Sequence, residues 1–245
     1  MKGILLIFLI LLTGCSLLPE KPTANHVEHF SGIRNGRLLY LGELSEQANQ
    51  ALFDAYAAAD VKPKQLLISS GGGDIAVGLV LGQWVRQHQL DVAVDKICAS
   101  SCANYVFPAG RNKYLKKDSI LLWHGSAWQK HWDYEAKHKD SVERYLRDTR
   151  LQESDFYDRL SVDNALTVYG QDKFSLWDHF VSMFGQGYIG YDYSIADLNR
   201  FGVTNIVLKD GEWDWRKHRP DKAHLVKRVK VGNDFIFTLR RFGNT

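Results

Sequence analysis

Three apolar runs that each end on a small or polar turn constrain this chain more than any other feature. Gln65-Leu66-Leu67-Ile68 leads into Ser69-Ser70-Gly71-Gly72-Gly73-Asp74. Val92-Ala93-Val94 precedes Cys98-Ala99-Ser100-Ser101-Cys102-Ala103, and Ser119-Ile120-Leu121-Leu122 runs into Trp123-His124-Gly125. Short runs of this kind, bounded by glycine and serine, read as buried strands. Residues 75–85 are apolar almost all round and predict a buried helix. Upstream, 37–42 reads as the first strand and 61–69 as the next. Between them Ser45 caps a helix whose apolar face is Ala48, Leu52, Ala55, Tyr56 and Ala59. Strand, helix, strand, glycine turn, helix, strand is a βαβ pattern, so the predicted class is α/β with a parallel sheet.

The glycine turn is not the Gly-x-Gly-x-x-Gly of dinucleotide binding. Nor is there a Gly-x-Ser-x-Gly elbow, since Ser101 is flanked by Ala99-Ser100 and Cys102-Ala103. The three pieces still supply what a nucleophilic site needs. A glycine turn offers backbone N–H groups to an oxyanion, a serine at a strand-to-helix junction is a nucleophile, and a histidine at a strand end is a base. Taken singly, Ser101 is an ordinary helix cap and His124 a core histidine; their joint spacing favours catalysis. The net charge of +3 is too small to argue for nucleic acid.

In order and spacing the pieces resemble a known family. Ser-x-Gly-Gly-x-Ile-x-x-Gly (Ser70 to Gly78), Ala99-Ser100-Ser101, Ala109-Gly110 and a strand ending in His124 are similar to the proteolytic subunit of the Clp protease. The resemblance spans about 38–208, and it implies the ClpP/crotonase-like fold: repeated ββα units with a mainly parallel sheet. Counting back from Ala109-Gly110, it assigns the nucleophile to Ser101, with Ser100 as the neighbour, and the base to His124. The oxyanion amides fall on Gly73 and Cys102. Gly71 stands where the family has proline. The third member of the triad is expected at Asp192, about two residues off register before 194–203. Asp172 and Asp178 are alternatives, as is a dyad with no acid. No metal or organic cofactor is implied. A charged helix over about 133–151, with Val142, Tyr145, Leu146 and Thr149 on one face, matches the family's ring-assembly helix, so a homo-oligomer is an expectation. Phe201 to Leu208 resembles the family's closing strand.

The N-terminus is a separate signal. Met1-Lys2 and a short apolar run end in Leu12-Thr13-Gly14-Cys15, which resembles the bacterial lipobox. The resemblance implies a lipoprotein signal peptide over 1–15, cut before Cys15, with the Cys15 thiol lipidated. Ser16 after the cysteine leans toward the outer membrane, facing the periplasm. Residues 16–30 then form a tether, in which His26 and His29 read as solvated linker histidines. The α/β domain occupies 31–208. The basic extension, 209–245, carries an expected hairpin of 226–231 with 234–239 around Gly232-Asn233.

Cys98 and Cys102 either bridge in an oxidising compartment or pack as two buried thiols. The expected function is a membrane-anchored serine peptidase acting on peptides or unfolded proteins. Against it stand a non-catalytic scaffold or binding protein of the same fold, crotonase-like acyl-CoA chemistry, and a signal-peptide peptidase using Lys96 or Lys113 as base.

Overall fold

A computed structural model describes residues 29–132, 134–175, 177–178 and 187–242. Their central feature is a mostly parallel sheet in the spatial order β1 (Phe30–Arg34), β2 (Arg37–Leu41), β3 (Gln65–Ser70), β4 (Asp91–Ala99), β5 (Lys113–Leu115) and β8 (Ile206–Leu208), with β6 (Ile120–Leu122) also paired to β4. Strands β1 (Phe30–Arg34) and β2 (Arg37–Leu41) form an antiparallel hairpin, so the domain begins one residue inside the expected tether. Helix α1 (Glu46–Ala58) starts where Ser45 accepts the Ala48 amide. Strand β3 (Gln65–Ser70) then pairs in parallel with β2, and β4 (Asp91–Ala99) with β3.

Helix α2 (Ile75–Gln87) begins at Asp74, whose carboxylate accepts the amides of Ala76 and Val77. It packs through glycines against the segment that follows β4. A Cβ on Gly82 would lie 2.4 Å from the Tyr105 carbonyl oxygen. The helix is not buried all round as expected: its outer side exposes Val80, Gln83 and Arg86.

Strand β4 serves two ladders. Its residues 92–94 pair with β5 (Lys113–Leu115), and 97–99 pair with β6 (Ile120–Leu122). The register with β3 shifts between Ile68 and Ser70, and the end of β4 pairs with β6, the strand that leads into His124. After β4 a π-helical turn, Cys102–Val106, continues into the short helix α3 (Phe107–Ala109). The long charged helix α4 is Lys139–Leu160, starting and ending later than expected. The expectation missed its second half, where Phe156 and Tyr157 are buried. Strand β7 (Gly190–Asp192), α5 (Ile195–Arg200) and β8 (Ile206–Leu208) follow, and β8 closes the sheet against β5.

The basic extension is not a hairpin. Val226–Arg228 is β9 and pairs in parallel with β7, with Val226 matched to Gly190 and Arg228 to Asp192. Residues 234–239 hold no strand; Thr238 instead donates its amide to Asp163. The physical reason is charge. Arg216 and Arg228 both bind the buried carboxylate of Asp192, which draws this segment onto β7. Trp215 is wholly buried, so the extension contributes to the core.

Candidate active site

Ser100 sits at the end of β4 with φ +53°, in the left-handed region that serine rarely adopts. Both its backbone groups are anchored. Its amide donates to the Leu122 carbonyl at 2.9 Å, and its carbonyl accepts the Asn104 amide at 2.8 Å. A Cys98–Cys102 disulfide, Cα–Cα 5.2 Å, straddles it. Held this way, its hydroxyl lies 2.8 Å from His124 Nε2. Such a serine on a strained strand-to-helix turn is the geometry of an activated nucleophile.

This shifts the serine by one from the expected position. Ser101 is 1% exposed, and its hydroxyl donates to the Gly73 carbonyl at 2.7 Å. It ties the glycine turn to the helix and does not meet His124. Counting back from Ala109-Gly110 fails because a π-helical turn takes one more residue than an α-helical one. Ser100, half-buried, is the more accessible of the two.

The glycine turn packs directly on this corner. Gly72 has φ +99°, and a Cβ there would lie 2.6 Å from the Ser100 Cβ and 3.0 Å from the Ser101 amide nitrogen. Glycine is therefore required both by its backbone angle and by the close approach. The Gly72 amide is committed to Ser70 Oγ at 3.1 Å. Among the described residues no hydrogen bond engages the amides of Gly73 or Ser101. These two are the candidate oxyanion donors. Gly73 matches the expectation; Cys102 does not, since the amide after the serine that meets His124 belongs to Ser101. Cys102 is buried and its sulfur is in the disulfide.

His124 follows β6 on a backbone pinned from several sides. Trp123 and Tyr191 exchange N–H···O bonds at 2.8 Å, and Gln171 donates to the His124 carbonyl at 2.9 Å. Asn104 donates to the next carbonyl, of Gly125, at 2.8 Å. The ring opens on a cavity of about 600 Å³ that includes Lys130, Asp172, Phe174, Tyr188 and Tyr191. Neighbouring protein desolvates the imidazolium and lowers its pKa below the ordinary histidine value. The shift favours the neutral ring, the form that can accept a proton.

No described carboxylate orients His124. Asp192 is 0% exposed and accepts from Trp215 Nε1 and from the guanidiniums of Arg216 and Arg228. It is an ion-pair hub joining β7 to β9, and the expected triad role is corrected. Asp172 shares the His124 cavity but pairs with Lys130 at 2.6 Å. Asp178 pairs with Lys227, which holds its pKa down at about 2. Lys113 is buried with its ammonium on the carbonyls of Gly110 and Thr204, away from the serine. Lys96 is exposed.

One buried carboxylate was missed. Glu153 of α4 is 0% exposed; its Oε2 accepts Tyr105 Oη at 2.9 Å and the Ala127 amide at 3.1 Å. It therefore fixes the loop just after His124. Ser126 and Asn164 lie near the same carboxylate and partly offset the cost of burying it. Burial raises its pKa from 4.5 to about 7. The signal was present: Leu146, Thr149, Glu153 and Phe156 continue one helical stripe, so an acid stands on an apolar face.

Cys15 lies outside the described residues, and so do His26 and the rest of the tether as far as residue 28. No protein-family model and no curated protein matches the sequence.

Two expectations test these assignments. Asp192→Asn removes the charge that two arginines share and lowers stability by about 3 kcal/mol, read by denaturant unfolding. The same variant keeps the Ser100–His124 geometry, since Asp192 touches neither residue. For Glu153 the folded state binds the proton more tightly than the unfolded chain. Its contribution is therefore lost as pH rises from about 4.5 to about 7. Wild-type stability falls across that window relative to Glu153→Gln; parallel curves for the two proteins would contradict the assignment.

Proposed function

We propose that this chain is a serine hydrolase of the ClpP/crotonase-like fold, acting as a peptidase on peptides or unfolded chains. The single observation that carries the reading is the 2.8 Å approach of Ser100 Oγ to His124 Nε2, made by a serine in left-handed conformation. In the proposed reaction His124 Nε2 takes the hydroxyl proton as Oγ attacks the scissile carbonyl. The developing oxyanion is received by the amides of Gly73 and Ser101. His124 then gives the proton to the leaving amine, the C–N bond breaks, and water activated by the same ring releases the acyl group.

The base is a histidine in this reading and no lysine is needed; Lys113 is engaged by two carbonyls. With no described acid on His124, the machinery is a dyad. That same gap is the observation that favours the second reading, a non-catalytic scaffold or binding protein that keeps the fold.

The proposal includes anchoring through a lipidated Cys15 at the cell envelope, outer membrane and periplasmic side. Its support is the lipobox-like sequence 12–15 and the Cys98–Cys102 disulfide, which suits an oxidising compartment. Among the described residues no helix is long and apolar enough to cross a membrane. Homo-oligomeric assembly and independence from metal and organic cofactors are parts of the same proposal that rest on the family resemblance.

The test is labelling of the purified full chain with a fluorophosphonate probe. Wild type is labelled, and His124→Ala slows labelling by about 10²-fold or more. The active form carries a neutral ring, so the rate is flat near pH 7. It falls on acidification through a pKa below the ordinary histidine value. A folded wild-type protein that takes up no probe would favour the scaffold.

A further inference from the structure

Between its two ladders β4 has a gap in its bridge pairing. The register with β3 jumps from Ile68↔Val94 to Ser70↔Cys98, and neither β5 nor β6 pairs with Asp95 or Lys96. A cavity of about 770 Å³ opens at this gap. Ile97, Leu122 and Val226 give it an apolar wall, and it shares Ile189 with the His124 cavity. Leu122 is also the residue whose carbonyl accepts the Ser100 amide, which ties the wall to the strand end that carries Ser100.

The mouth of this cavity is cationic. Lys96, Arg219 and Lys222 line it. Among the described residues the side chains of Lys96 and Arg219 have no hydrogen-bond or ion-pair partner, and Lys222 has only Asp221 at 3.8 Å. The one acid in the lining, Asp95, is neutralised by Lys116. Apolar walls with unpaired cations at the rim fit a ligand that carries an apolar group next to a carboxylate. On the peptidase reading that ligand is a peptide ending in an apolar residue.

We propose that this cavity seats the C-terminal residue of a peptide. The apolar side chain lies on the Ile97, Leu122 and Val226 wall, and the terminal carboxylate lies at Arg219 and Lys222. The inference rests on the peptidase reading and deepens it: the scissile bond then lies a short distance before the substrate's own C-terminus.

Fluorescence anisotropy on the full-length Ser100→Ala protein tests this without any chemistry. The probe is a labelled hexapeptide ending in leucine, with a free carboxylate or a C-terminal amide. The free acid binds at least about tenfold tighter, the scale of a charged hydrogen bond. Arg219→Gln with Lys222→Gln brings the acid down to the affinity of the amide and leaves the amide unchanged. Arg219→Lys with Lys222→Arg restores the preference, which separates charge from folding. Laurate fails to displace the peptide. Equal binding of acid and amide overturns the proposal, and so does displacement by laurate more tightly than the peptide binds. A protein that prefers the acid but takes no fluorophosphonate in its wild-type form would sink the hydrolase and keep the cavity. A labelled enzyme indifferent to the carboxylate would sink the cavity alone.

Discussion

The left-handed backbone of Ser100 is the constraint from which the site follows. Serine gains nothing locally from that conformation, which costs on the order of 1–3 kcal/mol. It persists because the surroundings over-determine it. The Leu122 carbonyl holds its amide, the Asn104 amide holds its carbonyl, and the Cys98–Cys102 bridge closes the turn around it. Gly72 then presses on the same corner, at a distance that no Cβ tolerates. The consequence is that two adjacent serines point to different partners. Ser100 meets the histidine, and Ser101 fastens the glycine turn.

Around that corner the fold uses buried carboxylates as fasteners. Asp192 gathers Arg216, Arg228 and Trp215 and so locks the extension onto β7. Glu153 takes the Ala127 amide and Tyr105, holding α4 against the loop behind His124. Each sits in a dry environment where an unpaired charge is costly. Asp192 meets that cost with two guanidiniums, whereas Glu153 meets it by a raised pKa. Neither touches the reacting atoms: Glu153 holds the loop just after His124, and Asp192 joins the extension to β7.

Much of this was legible in the sequence, and the failures have physical causes. Periodicity found β2, α1, β3, α2 and β6 because each obeys a local rule: an N-cap, a hydrophobic run, a glycine stop. His124 and Gly73 were legible as candidates because each stands where its run stops, and the structure places both on the corner of Ser100 and Ser101. The serine that meets His124 lies one residue before the expected one because residue counting assumes an α-helical turn, and the π-helical turn at 102–106 takes an extra residue. Asp192 was misassigned because proximity in sequence to a motif says nothing about its long-range partners, which lie more than twenty residues on. The hairpin at 226–239 was lost for the same reason, as a buried charge outweighed a local turn signal. Whether Cys98 and Cys102 bridge depended on where β4 ends, and spacing alone does not settle that.

The central claim is that Ser100, and not Ser101, is the nucleophile. Peptide mapping by mass spectrometry of the fluorophosphonate adduct, with Ser100→Ala and Ser101→Ala beside wild type, tests it most directly. The account predicts an adduct on Ser100, absent in Ser100→Ala and retained in Ser101→Ala. An adduct on Ser101 that survives Ser100→Ala would contradict it.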